Sequence, residues 1–161
     1  MSKSPPARRP ARRGRYCYPF PRPMVTVDVA AFRLRRGRRE VLLIRRANAP
    51  FRGKWALPGG FLEMDETLEA CGRREFREET GLAAGKLELL GLFDRPGRDP
   101  RGRVVTATYL TFLAGGEPQA GDDAARAAWH PLGRLPSLAF DHQEMLRRAR
   151  ARRRGRARRP G

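Results

Sequence analysis

The chain has 161 residues, 40% of them apolar, which suits a single domain with a modest core, and one domain is the expectation. A formal charge of +18 reads as a nucleic-acid signature until it is divided along the chain. Residues 1–23 hold 7 Lys and Arg, residues 146–161 hold 9, neither segment has an acid, and between them 19 basic residues face all 17 acids, so the basicity belongs to the tails.

In chain order, residues 1–21 are rich in Pro and Arg and are expected to be a disordered tail. They lack the apolar run of a secretory signal, and no later segment is long enough to span a membrane. Cys17 and Cys71 are too few for a disulfide framework, so a cytoplasmic protein is expected. Residues 24–34 and 40–46 predict a β-hairpin around a turn at 35–39. Residues 47–58 read as a loop with Pro50 and Gly53, carrying Phe51, Lys54 and Trp55 after Arg45 and Arg46. A proline-free stretch predicts a helix over 67–80, capped by Asp65 or Thr67 and stopped by Gly81. Strands are expected over 86–93 and 104–113, around a loop too long for a tight turn, then a short strand over 127–130 and a closing helix from 138 to about residue 150. The expected organisation is one domain over 22–146 with an Arg-rich tail over 147–161. Its expected class is α+β or a mixed α/β/α layer arrangement.

The predicted helix carries the chemistry. Glu75, Glu78 and Glu79 stand at i, i+3 and i+4, placing three carboxylates on one face. Like charges that close repel unless a cation lies among them. Hard oxygen ligands in this number suit Mg²⁺ or Mn²⁺, which few carboxylates hold together with water and substrate phosphates. Arg74 is placed to bridge Glu78 and Glu66 and so to orient the cluster. The preceding Leu57-Pro58-Gly59-Gly60 is a glycine turn that brings backbone carbonyls near whatever the helix binds. His130 and His142 have no ligand spacing and read as structural.

Gly60, five residues, Glu66, seven residues, Arg74-Glu75-Phe76, one residue, Glu78-Glu79, one residue and Gly81-Leu82 resemble the Nudix box at every fixed position. Phe76 stands where an aliphatic residue is more usual, and is expected to anchor the helix in the core. The flanks VTVDVAAF, VLLIRRANAPFRGKWALPGGF, AGDDA and LAFDH resemble the ADP-ribose pyrophosphatase-like branch of that family. The resemblance implies a mixed sheet between helices and metal-dependent hydrolysis of a nucleoside diphosphate linked to another moiety, ADP-ribose first. It implies metal ligation by Glu75 and Glu79, with Glu78 and the Gly59 carbonyl as further ligands, and Gly60, Glu66, Arg74 and Gly81 as structural support. The general base stays open among Glu75, Glu79, Glu117, Asp122 and Asp123, with the Asp pair preferred among the later residues. Arg45 or Arg46 suits phosphate, only one of them facing the site by alternation; Phe51 and Trp55 can stack on adenine, although packing is the commoner role for each. Arg98, Asp99 and Arg101 lie in a loop that can reach the distal ribose, although Arg98 stands where ADP-ribose hydrolases often have proline. Members of this branch often form homodimers. Two alternatives remain: a nucleotide-pool or RNA-associated hydrolase whose basic tails hold nucleic acid, and a non-catalytic ADP-ribose sensor. The absence of room for a winged helix after residue 146 is expected to count against the sensor.

Overall fold

A computed structural model describes residues 19–119, 121 and 124–156. The expected N-terminal tail falls largely outside these residues, as do Asp122 and Asp123, whereas the expected Arg-rich tail over 147–161 is helical as far as Arg156, its start fixed by the burial of Ala149. The run MVTVDVAAFRLR gives β1 (Met24–Arg35), whose side chains are buried on both faces from Thr26 to Arg33. Such a strand belongs at the centre of a covered sheet. It pairs antiparallel with β2 (Arg38–Arg46) across the expected turn, where Arg36 and Gly37 adopt positive φ.

Two short strands lie in what the sequence presents as loop: β3 (Trp55–Ala56) on β2 and β4 (Gly59–Phe61) on β1. Two or three residues are too few for a periodic signal; these strands exist because their backbone groups find partners on longer ones. After α1 (Leu68–Thr80) come β5 (Glu88–Phe93), β6 (Val104–Phe112), β7 (Ala124–Pro131) and α2 (His142–Arg156). The sheet path is β3-β2-β1-β6-β5, with β4 added on β1 and β7 on β2; β1 and β6 run parallel, so the seven-stranded sheet is mixed.

Alternation along β1 assigns the layers. Ala30 and Phe32 point to one side and pack with Met145, Leu146 and Ala149 of α2. Val29 and Ala31 point to the other and pack with Phe76 of α1. Sheet between helices is therefore the architecture, and the fully buried Phe76 anchors α1 as its position predicts. The closing helix starts at His142 rather than 138, because the backbone of Ser137 and Ala139 is taken by Trp55 of β3. β7 is longer than expected and pairs with most of β2.

Candidate active site

α1 begins at Thr67, whose hydroxyl accepts the Ala70 N–H at 3.2 Å, and ends at Gly81, whose φ of 70° supplies the left-handed stop. Between these caps the helix presents its carboxylates to the glycine turn of β4. Glu79 is 8% exposed, and its Oε2 accepts the Gly59 N–H at 2.9 Å. Glu75 lies against Gly60, so close that a Cβ there would stand 2.4 Å from its carboxyl carbon. Gly59 is equally constrained, since a Cβ on it would stand 2.1 Å from the Val27 carbonyl oxygen. Both glycines are required by close approach.

Arg74 is the cation that the acidic face needs. It donates to both oxygens of Glu66, at 2.9 and 2.6 Å, to Glu75, to Glu78 at 3.2 Å and to the Phe61 carbonyl at 3.2 Å. The Arg74 hydrogen bonds hold the Glu66 carboxyl down to about 2, against the opposing effect of burial. Glu78 points outward and is 44% exposed. The three carboxylates therefore divide, with Glu75 and Glu79 at the glycines and Glu78 at the rim. Among the described residues no three His, Cys, Asp or Glu side chains form a closed metal cage. The donor set fits a hard divalent cation held by one or two carboxylates and completed by water and phosphate.

Gly59 and Gly60 also line an open cleft. Its polar wall includes Asp28, Arg46, Arg98, Asp99 and Arg101, and its aromatic wall Phe61 and Phe140. Alternation separates the two strand-end arginines: Arg46 lines the cleft, whereas Arg45 donates to the Gly53 carbonyl on the exposed side. Burial, followed by the nearby Arg101 charge, pushes Arg46 below its ordinary value, with Glu79, Asp99 and Asp28 opposing. Two guanidiniums lining one cleft make a place for an anion. Arg101 also lies 4.7 Å from the Phe61 ring centre and 5.4 Å from that of Phe140, while Asp99 holds it at 2.7 Å.

Other expected contacts are placed differently. Arg98 reaches the cleft, but its guanidinium is committed to both oxygens of Asp141, at 2.9 and 2.6 Å, and to Thr106 at 2.6 Å. Its role is to tie the 94–103 loop to the start of α2. Trp55 packs edge-on against His130 at 4.3 Å and does not line the cleft. Phe51 packs edge-on against Phe140 at 4.8 Å, so the stacking surface in the cleft is Phe140. Glu117 pairs with Arg33 and Arg35 at the far end of β1, which removes it from the candidates for a base. Of the loop expected to bring carboxylates over the site, Gly121 lies on the backbone of Glu78 and Glu79.

Asp28, Phe61 and Phe140 were missed from sequence. Asp28 did leave a signal: it is the one charge inside an otherwise apolar strand start. Burial pushes its carboxyl up to about 7, with Arg98 opposing. His142 behaves as a structural residue: its Nδ1 accepts the Leu57 N–H at 2.9 Å, and burial pushes it down to about 3, leaving it neutral.

The NUDIX domain family matches residues 24–149. An ADP-ribose pyrophosphatase of Methanocaldococcus jannaschii is 48% identical over 108 residues, covering 67% of this chain and 64% of the relative. The ADPR responsive transcriptional repressor NtrR of Acinetobacter baylyi is 38% identical over 138 residues, 83% of this chain and 55% of the repressor. The chain thus spans less than two thirds of either relative. Among solved structures, the NUDIX domain of Shewanella oneidensis NrtR complexed with ADP ribose superposes with a TM-score of 0.79 at 34% identity, covering 83% of this chain and 90% of that one.

Proposed function

This chain belongs to the Nudix family, and on that premise we propose that residues 22–146 form a divalent-metal-dependent pyrophosphohydrolase cleaving ADP-ribose to AMP and ribose 5-phosphate. One observation carries the reading: Glu75 and Glu79 converge from one helix on Gly59 and Gly60, beside a cleft that holds Arg46 and Arg101. The relative described as an ADP-ribose pyrophosphatase and the ADP ribose bound in the Shewanella domain support the choice of substrate.

Glu75 and Glu79 would hold Mg²⁺ or Mn²⁺, with Glu78 and the Gly59 carbonyl as further ligands. Such an ion supplies positive charge to the diphosphate and lowers the pKa of water, worth several kcal/mol of barrier. Arg46 and Arg101 take phosphate oxygens, and Arg74 keeps Glu75 aimed at the glycine turn. The oxygen of water bonds to one phosphorus while the bridging P–O bond breaks and the bridging oxygen leaves with the other phosphate. The water's proton passes to a carboxylate among Glu75, Glu79, Asp122 and Asp123. A cytoplasmic location and a homodimer belong to the same proposal. The buried free thiol of Cys71 supports the first, and the exposed Leu89 and Leu92 on the edge strand β5 support the second.

Binding of ADP-ribose without turnover is the second reading, favoured by the likeness to the ADPR responsive repressor. Turnover of ADP-ribose, NADH, diadenosine polyphosphates, GDP-sugars and 8-oxo-dGTP with Mg²⁺ or Mn²⁺ tests the choice. The proposal expects ADP-ribose to have the highest kcat/KM. A higher value for another member would move the substrate, and saturable ADP-ribose binding with no product would establish the second reading.

A further inference from the structure

Asp28 is an acidic group of the cleft that the proposed hydrolysis does not use. Asp28 stands in the middle of β1, opposite Gly59 of β4 and beside Thr108 of the parallel strand β6. It is 8% exposed, and what remains open faces the cleft. Among the described residues no hydrogen-bond donor reaches its carboxyl. His142 Nε2 lies 3.6 Å from Oδ2, beyond hydrogen-bonding distance. Because Nδ1 of His142 is occupied by the Leu57 N–H, the neutral ring carries its proton on Nε2.

None of the neighbouring guanidiniums donates to the Asp28 carboxyl. Arg98 is held by Asp141 and Thr106, Arg101 by Asp99, and Arg46 donates to the Pro50 carbonyl at 2.8 Å. A carboxyl acceptor this deeply buried without donors costs stability, and such a group is kept where a ligand supplies the donors. A ligand with its phosphates at Arg46 and Arg101 brings the group bonded to them into the same cleft. In a nucleoside diphosphate linked to a sugar, that group is a ribose, whose hydroxyls are uncharged donors matched to a carboxyl acceptor. An acidic residue on ribose hydroxyls is also the arrangement dinucleotide-binding folds use.

We infer that Asp28 is the specificity-determining acceptor for a sugar hydroxyl of the substrate, selecting a hydroxylated phosphate-linked sugar over its deoxy counterpart. This rests on the ADP-ribose reading above. A site built around a hydroxyl rejects the analogue that lacks it, because the acceptor is then left buried and unpaired. The exocyclic amine of adenine is the other donor such a ligand offers, so the test must separate sugar from base.

The experiment is calorimetric titration of the full chain in EDTA, as wild type, Asp28→Ala and Asp28→Asn. The ligands are ADP-ribose, ADP-ribose analogues lacking single hydroxyls on either ribose, and inosine diphosphate ribose, which lacks the amine. Wild type is expected to bind at least one deoxy analogue about 10- to 100-fold more weakly than ADP-ribose. Asp28→Ala is expected to bring that ratio close to one, and Asp28→Asn, which keeps one acceptor oxygen, to retain part of it. Asp28→Ala retaining the full wild-type ratio would overturn the inference. So would a loss confined to the inosine compound that Asp28→Ala levels, since Asp28 would then read the base. Failure of the wild type both to bind ADP-ribose in EDTA and to turn it over with Mg²⁺ or Mn²⁺ would instead overturn the ADP-ribose reading, and the assignment of Asp28 with it.

Discussion

Asp28 and Gly60 show how single residues here trade stability against a site. The Asp28 carboxyl titrates near 7 when folded and near 3.8 when exposed, so between those values the folded state keeps a proton that the unfolded state has lost. Its contribution is fully present below about pH 4 and is lost as pH rises to about 7. Asp28→Asn removes this loss. Thermal or urea unfolding should show the variant equal to wild type near pH 4 and more stable at pH 8, by at most about 4 kcal/mol. A constant offset across that range would show that burial of the charge is not the cause. Gly60 faces the opposite constraint. A methyl in Gly60→Ala meets the end of the flexible Glu75 side chain rather than backbone, so the fold should survive at a cost of about 1 kcal/mol while kcat falls about 100-fold. Equal losses of stability and rate in this variant would show that Glu75 is placed by the fold alone. The glycines and glutamates were legible in sequence because their spacing is fixed by one helix and one turn. Asp28 was not, because a strand residue's partners come from elements distant in sequence.

At the scale of elements, α1 was read correctly from its caps, its lack of proline and its core anchor, all of them local. β3 and β4 were not, since each is only an answer to a longer strand's unpaired edge. The 94–103 loop makes the same point through Arg98. From sequence, a loop arginine near the site reads as a ligand contact; in the fold it is a buried pair with Asp141 that fastens the loop to α2. Truncating one partner of a buried pair leaves an uncompensated charge, so Arg98→Ala should lose about 3 to 5 kcal/mol of stability. A substrate contact would instead raise KM with the melting temperature unchanged, and denaturant titration alongside kinetics separates the two. Thr67→Ala should cost about 1 kcal/mol by removing the hydroxyl from the Ala70 N–H, seen as a lower urea midpoint with an unchanged slope.

Over the whole molecule, the mixed sheet between two helices brings the glycine turn, the acidic helix and the cleft to one end of β1. The layer arrangement was legible because strands interrupted by one central and one late helix suggest it and the Nudix resemblance implies it, whereas the cleft was not, being assembled from β1, β2, β4, the 94–103 loop and the approach to α2. Every residue named in the cleft lies between Thr26 and His142, outside both basic tails. Removing residues 1–18 and 157–161, which takes away 8 of the 16 basic residues of the tails, should therefore leave kcat/KM for ADP-ribose within about twofold while weakening any salt-sensitive shift of nucleic acid in a gel. A shift of undiminished strength would place polyanion binding on residues 19–156. The central claim is that Glu75 and Glu79 at Gly59–Gly60 form a hydrolytic centre, and its most direct test is AMP release from ADP-ribose by wild type and Glu79→Gln at saturating Mg²⁺. The account predicts metal-dependent release by wild type and a loss in kcat of at least about 10³-fold in the variant, with ADP-ribose still bound. Release by Glu79→Gln at the wild-type rate would contradict it.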